Sequence, residues 1–170
     1  MKRHSFAASF ALAVVAVLGL ASLAGAGEQV PFKGRLEGAQ VSRSAEYFVD
    51  GVGPFVDILI EGAGEATQLG RFTYAFPHTV HLPTRAAVGT YRFVAADGDT
   101  LTGSATGLAT PTIIDGVFHL AIVEEMVVEP TLSTGRFAGA TGGFTAKRLY
   151  NPATGLTFGS FEGAISTPAP

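Results

Sequence analysis

The feature that most constrains this chain is a period-two alternation of apolar and polar residues, which begins near Val30 and continues almost to the C-terminus. In segment 32–38, for example, Phe32 and Leu36 fall on one side while Lys33 and Arg35 fall on the other. Successive side chains of a β-strand point to opposite faces, so this pattern indicates half-buried strands. No window after residue 26 has a comparable helical period. The sequence therefore predicts an all-β protein.

Eight such runs are separated by turn-forming residues. Asp97-Gly98 is typical of a tight hairpin, and Asn151–Gly155 has an ordinary turn composition. The glycine-rich segment Ser133–Gly143 is the one candidate for a helical turn, and its glycines disfavour anything longer. The predicted strands lie in segments 32–38, 56–64, 70–76, 90–95, 100–108, 116–129, 144–150 and 156–166.

Two features favour an eight-stranded antiparallel up-and-down barrel over a β-sandwich, the alternative for evenly spaced short strands. The tripeptide Glu-Gly-Ala occurs at 37–39, 61–63 and 162–164, and each time it places a glycine on the inward side of a strand. A strongly curved, closing sheet needs such glycines where inward side chains would collide. Hairpin turns also connect most neighbouring runs, as in a meander.

The N-terminal segment resembles a secretory signal peptide. Lys2-Arg3-His4 precedes an uncharged apolar stretch at 6–23, and Ala24-Gly25-Ala26 has the small residues of a cleavage site. We therefore expect a signal peptide at 1–26, a single β-barrel domain at 27–170, and export to the periplasm or the extracellular space. The alternative is an uncleaved anchor, because 18 apolar residues are just enough to span a bilayer.

Charge and composition exclude several classes of protein. Without Lys2 and Arg3, 9 of the 11 basic residues remain against 14 acidic ones, the opposite of what nucleic-acid binding needs. The chain has no cysteine, so a disulfide scaffold and thiol chemistry are excluded. A membrane-spanning barrel is disfavoured because charged residues such as Lys33, Glu61 and Arg71 have the outward parity. We expect neither a nucleic acid partner nor a membrane partner after signal cleavage.

Three segments carry a family resemblance: Gly64–Thr73, Ser133–Thr145 and Gly159–Ser166. They resemble a group of exported bacterial proteins of unassigned role, similar to the allene oxide cyclase-like barrels, whose superfamily includes plant dirigent proteins. The resemblance covers Pro31 to Ser166 and is most distinctive in the Thr-Gly-x-Phe-x-Gly-Ala segment that starts at Thr134. It implies an eight-stranded barrel with an apolar interior and a homo-oligomer, a trimer in the plant members. No catalytic residue of allene oxide cyclase matches a position here by motif.

Aromatic residues dominate the inward positions of the predicted strands. They are either ordinary core or the lining of a pocket for a small apolar ligand, with Tyr74 and Tyr91 as its polar groups. The candidate ligand-binding aromatic residues are Phe72, Tyr74, Phe76, Tyr91, Phe93 and Phe118.

Glu124 occupies a position in the sixth run where the pattern demands an apolar side chain. One interpretation is a bulge or strand end at Glu124-Glu125 that returns both carboxylates to solvent. The other is a buried Glu124 hydrogen-bonded either to Arg148, which has the inward parity of the next run, or to a tyrosine. In the second case Glu124 and Arg148 join the predicted ligand site. If the protein is an enzyme, Glu124 is then the candidate catalytic group, because its carboxylate could stabilise charge on a substrate.

The remaining patterns give no sign of a metal or cofactor. His78, His81 and His119 lack the spacing of a zinc site, and no phosphate-binding or nucleophile motif is present, so we expect no cofactor and no metal. The predicted function is an exported binding module for a small apolar ligand or a protein partner. The alternative is a cyclase- or isomerase-type enzyme that acts on a hydrophobic substrate inside the barrel.

Overall fold

The computed structural model describes residues 27–166, so the predicted signal peptide at 1–26 lies outside the described residues. The described part contains one 3-10 turn, Gly135–Phe137, and nine β-strands. Within it, no helix has the length and apolar character needed to cross a bilayer. The strands are β1 (Gln29–Arg43), β2 (Tyr47–Val49), β3 (Val52–Ala66), β4 (Gly70–His81), β5 (Ala86–Ala95), β6 (Thr100–Ile114), β7 (Val117–Val128), β8 (Gly142–Asn151) and β9 (Leu156–Ser166).

Eight of these strands form a closed antiparallel up-and-down barrel, as the alternation predicts. The strand order is β1-β9-β8-β7-β6-β5-β4-β3-β2, and β1 also pairs with β3, which closes the sheet. The short β2 pairs only with the first residues of β3, beyond the point where β1 joins it. The sequence pattern misses β2 because three residues are too few to show an alternation.

The two ends of the barrel differ, and we name them by their connections. The hairpins β2–β3, β4–β5, β6–β7 and β8–β9 surround one end, here called the open end. The hairpins β3–β4 and β5–β6 and the long β7–β8 connection lie at the other, here called the closed end. Aromatic rings fill the interior near the closed end, and Phe72 and Phe93, for example, stack with centroids 4.7 Å apart. The buried rings of this cluster are Phe32, Phe72, Tyr74, Tyr91, Phe93, Phe144 and Phe161.

The β7–β8 connection plugs the closed end. The predicted helical turn is present as the 3-10 turn, which brings Phe137 and the following Ala140 into the core with no exposed surface. Arg136 holds this plug against two other loops: its guanidinium binds the carboxylates of Asp97 and Asp99 and donates to carbonyls of the β3–β4 turn. The distinctive Thr-Gly-x-Phe segment therefore closes one end of the barrel.

The inward glycines make room for large side chains, as the Glu-Gly-Ala repeats predict. Gly38 and Gly62 face each other across β1 and β3, and Gly62 also pairs with Tyr74 of β4. A Cβ at Gly62 would lie 2.6 Å from the Gly38 Cα and 2.7 Å from Tyr74 Cε1. Those distances are well inside van der Waals contact, so the closure of the barrel around Tyr74 requires glycine here.

Candidate functional site

The open end of the barrel holds a cavity of about 360 Å³ that opens to solvent. Depressions on the outer wall are larger in volume, but they are more open to solvent and would enclose little of a ligand. Gln40, His78, Glu124, Arg148 and Tyr150 supply polar groups to the cavity wall, and Arg43 and Arg85 also line it. The aliphatic lining comprises Val56, Ile58, Ile60, Val80, Leu82, Ala87, Leu108, Ala109, Leu120, Ile122 and Pro152.

Glu124 and Arg148 form a buried ion pair in the wall of this cavity. Arg148 Nε donates to Glu124 Oε2 at 2.8 Å and Nη2 donates to Oε1 at 2.5 Å, the bidentate geometry of a strong pair. Glu124 is only 2% exposed and Arg148 is 6% exposed. The pairing of β7 with β6 and β8 runs through Glu124 without a shift, so the interpretation of a bulge at Glu124-Glu125 is wrong. Glu125 points outward and accepts a hydrogen bond from Thr145.

The register of the sheet explains this pair. Glu124 lies opposite Ala146 and Arg148 lies opposite Ile122, so the two charged residues are diagonal neighbours on the inner face. Burial by itself would lower the pKa of Arg148, but the hydrogen bonds and charge of Glu124 outweigh it and raise that pKa. The guanidinium therefore stays charged.

Thr157 and two glycines complete the surroundings of the pair. Arg148 Nη1 donates to Thr157 Oγ1 at 3.1 Å, and that hydroxyl donates to the Leu149 carbonyl at 3.0 Å. A Cβ at Gly159 would lie 2.9 Å from Arg148 Cγ, and one at Gly107 would lie 2.8 Å from Glu124 Cγ. A guanidinium has five N–H donors, so the three bonds named leave two for another acceptor.

Phe76 and His78 flank the arginine. The guanidinium carbon of Arg148 lies 5.5 Å from the centroid of the Phe76 ring, within cation–π range, and the His78 ring stacks on the same phenyl group at 4.4 Å. Burial lowers the pKa of His78, so its imidazole is neutral at pH 7. Since its Nδ1 lies 3.1 Å from the Phe76 carbonyl, Nδ1 carries the proton and Nε2 is left as an acceptor.

The buried tyrosines keep their protons. Burial raises the pKa of Tyr74 to about 12, with Arg148 opposing the shift and Glu124 and Glu37 adding to it. Burial also raises the pKa of Tyr91. Neither hydroxyl has a hydrogen-bond partner among the described residues. At the cavity wall, by contrast, the Tyr150 hydroxyl donates to Gln40 Oε1 at 2.8 Å.

The structure brings together only part of the predicted ligand site. Glu124 and Arg148 line the cavity, and Phe76 packs against the arginine. Phe72, Tyr74, Tyr91 and Phe93 are buried in the aromatic core and do not line the cavity. The interpretation of Phe118 as an interior ring is wrong: it has the inward parity, but it lies in the β6–β7 hairpin beyond the barrel wall and is 48% exposed.

Sequence reasoning missed the aliphatic lining of the cavity. Val56, Ile58, Val80 and Leu120 have the inward parity of their strands, which is the only sequence signal they carry. The same parity describes the filled core, so the pattern by itself does not distinguish a cavity from packed side chains.

No model of a known protein family, no curated protein and no solved structure matches the chain. The closed eight-stranded barrel is the fold that the resemblance to allene oxide cyclase-like barrels implies. Membership of that family remains a prediction from the residue pattern.

Proposed function

We propose that this protein is an exported binding module that holds a small, mostly apolar molecule in the open-end cavity. The observation that carries the proposal is an aliphatic cavity of about 360 Å³ with one buried, hydrogen-bonded ion pair in its wall. Small-molecule sites typically combine an apolar wall with a few fixed polar groups, and this volume lies at the lower end of their range.

The polar groups indicate the chemistry of the ligand. Arg148 retains two N–H donors beyond its bonds to Glu124 and Thr157, so an oxygen acceptor such as a carbonyl or hydroxyl group is favoured beside it. The aliphatic side chains then enclose the apolar remainder of the ligand, whose transfer from water supplies most of the binding free energy.

Native mass spectrometry of the protein purified from its host tests this proposal. We expect a bound small molecule on the unmodified protein and on Glu125→Gln, whose carboxylate faces outward. Glu124→Gln should lose it, because the substitution removes the charge that holds the Arg148 guanidinium in place. Circular dichroism serves as the check that both variants retain the barrel. An empty unmodified protein, or equal occupancy of the two variants, would contradict the proposal.

A cyclase- or isomerase-type enzyme is the second candidate function. The observation that favours it is the charged pair in an apolar, partly enclosed cavity, where a fixed charge stabilises a developing charge far better than in water. The extracted ligand, returned to the protein and analysed by chromatography, separates the two functions. A binding module returns it unchanged, whereas an isomerase yields a product of the same mass with a different retention.

Export is part of the proposal and has its own test. The charged start, the apolar stretch at 6–23 and Ala24-Gly25-Ala26 predict cleavage before Gly27. N-terminal sequencing of the protein from its host should therefore begin at or beside Gly27. A mature chain that still contains residues 6–23 would indicate a membrane anchor instead.

A further inference from the structure

Two hairpins at the open end share a sequence and a conformation. The β2–β3 hairpin turns through Val49-Asp50-Gly51-Val52, and the β6–β7 hairpin turns through Ile114-Asp115-Gly116-Val117. Both central residues of each turn have positive φ, 50° and 78° in the first and 51° and 77° in the second. These are tight Asp-Gly hairpin turns, and each presents a carboxylate at its apex with an apolar residue on either side.

The two tips stand on opposite sides of the cavity mouth. The β2–β3 hairpin rises where β3 meets β1, and its pair Val49–Val52 has no partner in β1 or β4. The β6–β7 hairpin lies four strands away around the eight-stranded ring. In the second tip, the last three residue pairs, 112–119, 113–118 and 114–117, have no neighbour in β5 or β8. At a strand rise of about 3.3 Å per residue, this tip extends roughly 10 Å along its strands beyond its neighbours.

The sectors between the tips are lower and differ in chemistry. The β4–β5 hairpin, which carries Arg85, ends level with the pair Ala86–Leu108, well below the β6–β7 tip. The β8–β9 hairpin on the opposite side, residues 151–156, carries no charged side chain. The rim of the mouth therefore alternates between two high tips with acidic apices and two low sectors, one basic and one uncharged.

The tips also expose large apolar side chains. Phe48 and Ile113 are each 64% exposed, and Val52 and Phe118 are exposed as well. Exposed apolar groups concentrated around one opening mark an interaction surface.

We infer that the open end is the interface of a two-fold dimer in which two copies meet mouth to mouth. Each rim has two high tips on opposite sides. When the second copy is rotated by a quarter turn about the barrel axis, each tip of one copy enters a low sector of the other copy's rim. A two-fold axis across the mouth produces this arrangement, and the same surface serves on both subunits, as in most homodimers. Each arrangement of this kind places one acidic apex, Asp50 or Asp115, at the partner copy's basic sector beside Arg85.

The acidic apices favour a second copy over a lipid surface. On approach to a bilayer, the carboxylates of Asp50 and Asp115 would enter first and lose their hydration without a cation to bind. Against a second copy, one of the two carboxylates meets Arg85, and the apolar flanks of the tips are covered at the same time. In this dimer the mouths of the two cavities face each other. The inference does not depend on a ligand.

Sedimentation velocity over a range of protein concentrations tests the dimer. We expect a monomer–dimer equilibrium whose dissociation constant rises at least about tenfold in Phe48→Ser and in Phe118→Ser. The matched control is Phe158→Ser, which removes a ring of similar exposure, 56%, from the barrel wall and should leave the equilibrium unchanged. A monomer at every concentration overturns the inference, as does dissociation by Phe158→Ser. Flotation of a monomer with phosphatidylcholine vesicles would assign the tips to a membrane instead.

A charge exchange tests the orientation. Arg85 has a φ of 60°, which aspartate tolerates, so Arg85→Asp should weaken the dimer about tenfold or more without disturbing the hairpin. Two double variants combine Arg85→Asp with either Asp50→Arg or Asp115→Arg. One of these two double variants should restore association, because only one acidic apex meets Arg85 in a given orientation. The matched control is Arg92→Asp, which should have no effect, because Arg92 is an outward and exposed residue in β5, the strand that follows Arg85. Restoration by neither pair overturns the mouth-to-mouth arrangement.

Discussion

Replacing Arg148 by methionine is expected to lower the free energy of unfolding by about 3–5 kcal/mol. The substitution leaves the Glu124 carboxylate buried, 2% exposed, without the two hydrogen bonds and the positive charge that stabilise it. Denaturant unfolding followed by circular dichroism measures the change. Lys147→Met is the matched control, because Lys147 is the neighbouring residue of β8 and points outward into solvent. It should change the free energy by less than about 0.5 kcal/mol.

The comparison of these two variants also tests the geometry of the pair. If the pair lies in the interior as described, the double variant Glu124→Gln with Arg148→Met should recover part of the lost stability, since no unpaired charge remains buried. Equal unfolding midpoints for Arg148→Met and Lys147→Met would show that Arg148 and Glu124 are solvated.

Replacing Gly62 by valine is expected to cost about 3 kcal/mol or more, or to prevent folding altogether. The new side chain would overlap the Glu37 carbonyl, the Gly38 backbone and the Tyr74 ring, and two of these are backbone groups of the strand that closes the barrel. Soluble yield and thermal unfolding report the effect. Ala63→Val, one residue further along β3 and exposed, adds a branched side chain on the outer face and should be tolerated. A stable Gly62→Val protein would contradict the close contact of β1 and β3 at this point.

The strands and the closure of the barrel could be predicted because a period of two and inward glycines are local properties of the sequence. The glycines of the Glu-Gly-Ala repeats indicated the closure of the barrel, because each one lies beside a large side chain. Gly163, for instance, packs against Phe144 of the adjacent strand. The plug was predicted only as a helical turn, because the contact of Arg136 with Asp97 and Asp99 joins residues far apart in the chain.

The position of the cavity could not be predicted for a physical reason. Alternation tells which face of a strand a residue occupies, but it does not tell how high along the barrel axis the residue lies. Phe93 and Phe118 have the same inward parity, yet Phe93 lies in the filled half and Phe118 lies beyond the rim. The height depends on the register between strands, which is set by pairings such as Ile122 with Arg148.

Glu124 illustrates the same limit in a single residue. Its inward parity and the possible partner Arg148 were visible in the sequence, but a bulge at Glu124-Glu125 explained the pattern equally well. The uninterrupted pairing of β7 with β6 and β8 is what distinguishes the buried ion pair from a bulge. The space for the pair also depends on Gly107 and Gly159, which belong to two further strands.

The most direct test of the central claim, a ligand cavity at the open end, is a fluorescence titration with the uncharged apolar dye Nile red. Ala87 lines the cavity, and its neighbour Ala86 faces outward and is exposed, so Ala87→Phe fills the cavity while Ala86→Phe adds the same ring outside. We predict saturable binding of one dye per chain, unchanged in Ala86→Phe and weakened about tenfold or more in Ala87→Phe. Absence of binding, or equal affinity of the two variants for the dye, would contradict the account.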